Sequence, residues 1–409
     1  MSNRREFLGG MVSAAVAAGQ TTGTRVVGAN DRVRFGLIGA GARGIEDLGF
    51  ALRCSNVEAV AVADVYTGRF AAAQKLVPGI KTYQDFRRLL EDNSIDAVLI
   101  ATPQHQHCLQ FVPAMQAGKD VYQEKTMAFT PAHARRMKSA FERSGRVVQI
   151  GMQMNSGPGF EKVRELATAE HMGTITALQG FHFRNAPYGG WRRNIPGDCD
   201  SAHVDWKAFE GEAKSDPFDP QRYMNWRFYW DYSGGNVFEN MVHQVGFWYG
   251  ALGWNIPETV NMTGADYLGP DMQVPDTMSV TMRQKEKVLF TWNSMFGNAY
   301  FGEGYDLLFG NAATLIHDEA DEVTFLPQRR RGAQGGSAAP AAAPPIGASS
   351  YKDYTTQHMQ DFFDCVRNRK QTVCPFDLGY RVAIACQMAI ASYRQQRTVR
   401  WDPATEEIV

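Results

Sequence analysis

The sequence predicts an α/β protein whose N-terminal part is a doubly wound parallel sheet, and three observations carry this. An apolar strand over 33–38 runs directly into Gly39-Ala40-Gly41-Ala42-Arg43-Gly44 and a helical stretch. Strand and helix patterns then alternate as far as residue 150. Finally, Ile95-Asp96-Ala97-Val98-Leu99-Ile100-Ala101 is almost continuously apolar, as a strand covered on both faces must be.

Element by element, a helix over 45–53 follows the glycine turn, and a second strand over 57–63 ends in Asp64. Helices over 70–76 and 83–91 lead to the strand at 95–101. Thr102-Pro103-Gln104-His105-Gln106-His107 opens a helix reaching 117, before a strand at 120–123 and Glu124-Lys125. A helix over 131–144 and a strand at 147–150 complete about 120 residues of alternation. Within the loop, Gly39 permits a tight turn, Gly41 lets backbone N–H groups approach a pyrophosphate, and Gly44 lets helix and strand pack closely. The helix N-terminus then faces the phosphates. Asp64, about twenty residues past Gly44, is placed to accept hydrogen bonds from ribose hydroxyls and to repel a 2′-phosphate. The expected cofactor is therefore NAD, with NADP kept as the lesser alternative by Arg69.

The whole chain has 409 residues, which suits two or three domains. Its 44% hydrophobic and 21% charged residues exclude wholesale disorder and fibrous repeats. A formal charge of −1 gives no basic footprint for nucleic acid and no field for an anionic membrane, so a small uncharged partner is expected. No apolar run past the N-terminus reaches the roughly 18 residues of a membrane span. The six cysteines contain no CxxC pair, and His105 and His107 have no third ligand at suitable spacing, so neither a disulfide framework nor a metal site is expected. Asn3-Arg4-Arg5-Glu6-Phe7-Leu8, followed by a Gly/Ala-rich stretch, resembles a twin-arginine export signal occupying 1–31 and implies a periplasmic or otherwise exported protein. A Gly/Ala/Pro-rich insertion at about 328–350 is given no function.

Taken together, Gly39-Ala40-Gly41-Ala42-Arg43-Gly44, Ala101-Thr102-Pro103 with His107, Ala117-Gly118-Lys119-Asp120-Val121 and Glu124-Lys125 resemble the Gfo/Idh/MocA family of sugar and cyclitol oxidoreductases. Gly234-Gly235 through Glu239 to His243, His358 to Phe362 and the helix over 376–395 extend the resemblance over most of 32–400. It implies a Rossmann domain at 32–150 and a substrate-binding α/β domain at 151–409, whose open, mostly antiparallel sheet floors the substrate site and often pairs into a homo-oligomer. It also implies that Thr102, Pro103, His107, Glu124, Lys125 and Gln153 line the cofactor, with His107 capping the helix that follows it. Lys125 stands for the lysine of a Glu-Lys-Pro motif beside nicotinamide and substrate, and His243 for the site histidine. Thr126 replaces the motif's proline, and Glu239 replaces an aspartate.

Oxidising a secondary alcohol needs a hydride acceptor and a base. A lysine at the end of a buried strand can supply part of the second function. Glu239 and His243 lie four residues apart on a helix expected over 236–252, so both should project from one face and share a proton relay. Aromatic residues are dense from 181 to 232, interleaved with arginines, a composition suited to stacking sugar rings. Tyr188, Trp191 and Arg192, flanking Gly189-Gly190, form the expected mobile substrate loop, with Tyr188 as an extra base. Outside the cytoplasm no NAD pool is available, so the cofactor should stay bound. Three functions are compatible with this: an oxidoreductase acting on a sugar or cyclitol, a redox-neutral glycosidase that oxidises carbon 3 transiently, or a non-catalytic sugar sensor.

Overall fold

A computed structural model describes residues 32–213, 217–328 and 351–409. The expected export signal, and the expected insertion from residue 329 onward, lie outside them. Six strands form the first sheet: β1 (Val33–Ile38), β2 (Val57–Ala63), β3 (Lys81–Tyr83), β4 (Ala97–Ile100), β5 (Asp120–Glu124) and β6 (Val148–Gly151). All pair in parallel, in the order β3-β2-β1-β4-β5-β6. Both β4 and β5 are buried along their whole length. That explains the apolar run of β4, and it forces the polar residues of β5 to find partners. Asp120 accepts the Val147 N–H at 2.7 Å and pairs with Arg369 at 2.6 Å. The connections reverse direction between β1 and β4, which opens a crevice beyond their carboxyl ends.

The helix expected over 83–91 is shorter than the sequence suggested. Tyr83 instead ends the edge strand β3, opposite Ala63, and the helix Phe86–Leu90 begins only where the Asp85 side chain accepts the Arg87 N–H.

Nine strands form the second sheet: β7 (Ile175–Phe183), β8 (Thr259–Ala265), β9 (Thr277–Arg283), β10 (Leu289–Met295), β11 (Tyr305–Gly310), β12 (Ala313–His317), β13 (Val323–Pro327), β14 (Val399–Asp402) and β15 (Glu407–Ile408). Their order is β13-β12-β11-β7-β10-β9-β8-β14-β15, and every described pair is antiparallel except β7 with β10. This is the open, mostly antiparallel sheet that the resemblance implied. The helix Tyr351–Asn368 returns to the first sheet, packing Met359, Phe362 and Phe363 against Phe35 and Leu37. The Phe35 and Phe363 rings are 5.3 Å apart. The helix Phe376–Gln395 lies instead among Val242–Leu252 and β8. A continuous buried cluster runs from Ile38, Val98 and Ile150 to Val237, Trp248, Val280 and Ile384, so the two sheets share one core.

At the end of β12, His317 is sealed in that core. It stacks on Phe247 with ring centres 4.2 Å apart, hydrogen-bonds Asp321 at 3.0 Å and stands 3.8 Å from Asp306. Burial alone would lower its pKa, but the two carboxylates reverse this and raise it to about 9. The folded value thus lies above the ordinary 6.5. The stability that protonated His317 contributes is complete below pH 6.5 and is lost as pH rises through 9. Urea midpoints measured from pH 6 to pH 10 should therefore fall across that window, and the fall should flatten in His317→Gln.

Candidate active site

The glycine turn has the close contacts its residues were expected to need. Gly39 has φ +94°, and a Cβ there would lie 2.7 Å from Thr102 Cγ2. A Cβ on Gly44 would lie 1.8 Å from the Gly39 carbonyl oxygen. At Gly41 the surroundings are different: the nearest atom to a Cβ is Arg69 Nη1 at 3.5 Å, so a side chain would fill the crevice. Gly41 also caps the helix Ala42–Ala51 without any side-chain hydrogen bond, which leaves first-turn N–H groups available for an anion. The Ala40 N–H donates to Asp64 Oδ2 at 2.7 Å, and the Tyr66 N–H to Oδ1 at 2.8 Å, which fixes that carboxylate on the crevice floor.

The crevice lies beyond the carboxyl ends of β1, β2 and β4. Gly39, Asp64, Arg69, Thr102 and Pro103 line one side, and Phe209, Tyr223 and Trp226 face them. A ribose-binding carboxylate, an uncapped helix N-terminus and aromatic walls together fit a dinucleotide.

Three side chains expected at the cofactor are instead committed to one another. Arg43 pairs with buried Asp47 at 2.8 Å and with Glu124 at 3.0 Å, and it hydrogen-bonds the Tyr351 hydroxyl. Burial holds the Asp47 carboxyl well above its ordinary pKa, even against the opposing Arg43 charge. Gln153 donates to Glu124 at 2.8 Å and to the Tyr122 hydroxyl at 2.9 Å. Arg43, Glu124 and Gln153 thus brace the end of β5 from behind.

His107 does not cap its helix, which has no side-chain cap. Its ring is fully buried, with Nδ1 2.8 Å from the Thr126 carbonyl and Nε2 2.8 Å from the Thr102 carbonyl. The imidazole therefore joins the loop after β4 to the loop after β5.

Those braces aim Lys125. Its ammonium lies 3.1 Å from Glu239 Oε2 and donates to the Glu239 carbonyl at 3.0 Å. Beside it, the Thr126 hydroxyl donates to the Phe238 carbonyl at 2.8 Å, so the residue in place of proline is itself anchored across the site. Glu239 also receives a hydrogen bond from Gln104 and stands 3.2 Å from Arg227 Nε. Burial works to raise the Glu239 pKa, but the Arg227 and Lys125 charges more than reverse it and hold the carboxyl well below its usual range.

The expected helix over 236–252 is a π-helical turn, Val237–Met241, followed by an α-helix, Val242–Leu252. Glu239 faces Lys125, Arg227 and Gln104, and no hydrogen bond joins it to His243, so the expected carboxylate–imidazole relay is not formed. Burial, then the Lys125 and Arg43 charges, push His243 well below its ordinary pKa. His182 on β7, close enough to Lys125 and His243 to interact electrostatically, is pushed down to about 3 by burial and Arg184.

The Tyr188 loop is packed rather than free. Trp191 is buried edge-on against Phe296 at 5.0 Å, which makes it core and not a substrate platform. Arg192 lies over the Tyr188 ring at 3.8 Å and pairs with Asp271 at 2.6 Å. No hydrogen bond among the described residues joins Tyr188 to Lys125, Glu239 or His243. Conversely, no motif or spacing marks Gln104, His182 or Arg227 as neighbours of Lys125. Their approach depends on how the two sheets meet.

Two descriptions of one family match this chain. An oxidoreductase family with an NAD-binding Rossmann fold matches residues 33–152, and the C-terminal α/β domain of the same family matches 207–400, together about three quarters of the chain. The chain belongs to the Gfo/Idh/MocA oxidoreductase family. Inositol 2-dehydrogenase of Salmonella typhimurium is 31% identical over 154 residues, which is 37% of this chain and 46% of that protein. The rhizopine catabolism protein MocA of Rhizobium meliloti is 32% identical over 157 residues, covering 38% and 49%. The chain thus matches about half the length of these curated relatives. A levoglucosan dehydrogenase in complex with NADH and levoglucosan shares the fold, with TM-score 0.69 and 17% identity over 90% of this chain and 99% of that one.

In this Gfo/Idh/MocA chain, Glu239 is the carboxylate that, among the described residues, forms ion pairs with both the Lys125 and Arg227 side chains, and removing its charge leaves both cations poorly compensated. Glu239→Gln should lower unfolding stability by about 3 kcal/mol. Equilibrium urea denaturation checks this, and an unchanged midpoint would show the ion pair to be energetically idle.

Proposed function

We propose that the chain is an NAD-dependent oxidoreductase that acts on a secondary alcohol of a sugar or cyclitol and retains its cofactor between turnovers. The observation that carries this reading is the Lys125 ammonium, fixed on Glu239 just past the carboxyl end of β5 and close enough to His243 that its charge helps keep that imidazole neutral. NAD, when bound, supplies the two-electron acceptor. The glycine turn and helix N-terminus hold its phosphates, and Asp64 its ribose. Lys125 donates a hydrogen bond to the substrate oxygen, while Glu239 keeps the ammonium from swinging away. His243, kept neutral, accepts the hydroxyl proton.

Retention is supported by the roof over the adenosine end. Tyr66, Cys199, Val204, Phe209, Tyr223 and Tyr232 form one buried cluster there. The Thr67 N–H donates to the His203 carbonyl and the Asp205 N–H to the Val65 carbonyl, both from backbone to backbone. An enclosed cofactor also suits the redox-neutral glycosidase reading, with His243 as the base beside the transient ketone. Aglycone release from aryl glycosides without added NAD would select that alternative. The arginine pair of the leader fits a protein that loads NAD before export. The outward stack of Phe181 on Phe301, ring centres 4.3 Å apart, fits a homo-oligomer formed through the open sheet.

Lys125→Met should lower kcat at least about 100-fold while NADH still binds. Steady-state rates and an NADH titration on the same preparation read both, and a variant that keeps wild-type turnover would remove Lys125 from the chemistry.

A further inference from the structure

More positive charge surrounds Glu239 than one carboxylate balances. Lys125 and Arg227 both stand against Oε2, at 3.1 and 3.2 Å. A third cation, Arg193, is close enough that Arg227, after burial, contributes to lowering its pKa. Among the described residues, the Arg193 guanidinium donates to the backbone carbonyls of Gly190 and Arg192 and meets no carboxylate. It is tied to the Arg227 segment through Asn225, whose side chain accepts the Arg193 N–H at 2.6 Å and donates to the Arg193 carbonyl at 3.2 Å. Neither neighbouring histidine adds negative charge. The local surplus contrasts with the chain's formal charge of −1.

Arg227 is also built as a recognition group. Its guanidinium carbon lies 4.3 Å from the centroid of the Trp226 ring, and Trp226 itself lines the cofactor crevice. That stacking holds the guanidinium plane. Nε is the guanidinium atom nearest Glu239, and no described residue accepts a hydrogen bond from the two terminal nitrogens. A planar guanidinium with two free terminal nitrogens, next to the reacting ammonium, matches the geometry of a carboxylate and binds it through two parallel hydrogen bonds.

Building on the function proposed above, we propose that the substrate is an acidic sugar, a uronate or aldonate, whose carboxylate docks on the terminal nitrogens of Arg227 with Arg193 adding charge. The alcohol to be oxidised then meets Lys125 and His243. Arg227 determines specificity, and the expectation of an uncharged partner gives way to an anionic one.

The test is calorimetry on the NAD-loaded full chain with D-glucuronate, D-gluconate, glucose 6-phosphate, D-glucose and myo-inositol. The proposal expects an acidic sugar to bind at least ten-fold more tightly than its neutral counterpart, with the gap narrowing in high salt. In Arg227→Met the ratio of acidic to neutral affinity should collapse toward one, and Arg227→Lys should restore part of it. The loss should appear in KM for the acidic sugar more than in kcat. Equal affinity for neutral and acidic sugars, a preference for the phosphate, or an equal loss for both classes in Arg227→Met would each overturn it. If acidic sugars bind through Arg227 but no NADH forms and Lys125→Met changes nothing, the oxidoreductase reading falls and the anion site stands. If neutral sugars are oxidised through Lys125 regardless of Arg227, the reverse holds.

Discussion

The ion pair between Lys125 and Glu239 is the contact on which the site depends. It joins the carboxyl end of β5, in the first sheet, to a π-helical turn that runs into the helix Val242–Leu252, whose Gln244 hydrogen-bonds Asp306 and Trp292 of the second. Thr126 repeats the connection one residue further on, through the Phe238 carbonyl. Behind β5, Arg43, Glu124 and Gln153 hold the strand end, and His107 holds the loop. Taking two charges out of water is costly, and their attraction repays the cost only when the remaining lone pairs and protons find partners. Gln104 and the Glu239 carbonyl provide such partners, so the contact can be both buried and ordered.

The same electrostatics separate the roles of neighbouring groups. Glu239 stays ionised because the Arg227 and Lys125 charges face it, whereas His243 stays neutral because burial and the Lys125 and Arg43 charges disfavour a further positive charge. Groups whose environments push their pKa values apart can act as fixed counter-charge and proton acceptor at one pH. The aromatic cluster from Cys199 to Tyr232 packs instead at the adenosine end of the crevice, beside Asp64 and Arg69.

Backbone path was the part of this architecture most legible in the sequence. Gly39, Gly41 and Gly44 read correctly because their requirements are local: a positive φ, an open face and a close helix contact. Strand β4 could be read because it is apolar throughout, and the Glu-Lys step placed Lys125 at a strand end. Side-chain direction was less legible. Arg43, Glu124 and Gln153 belong to a cofactor motif, yet they point at one another, because a motif records where the chain runs and not which face each residue presents. Arg227 lies about a hundred residues from Lys125 in sequence, among arginines that pattern alone could not rank. Trp191 looked like a sugar platform and proved to be core, since a ring flanked by glycines can fold inward as readily as out.

The most direct measurement is a crystal structure of the chain grown with NADH. The account predicts the pyrophosphate on the backbone N–H groups after Gly41 and the nicotinamide in contact with Lys125 and His243, with Lys125 still paired to Glu239. A dinucleotide bound elsewhere, or an ammonium released from Glu239 into solvent, would contradict it.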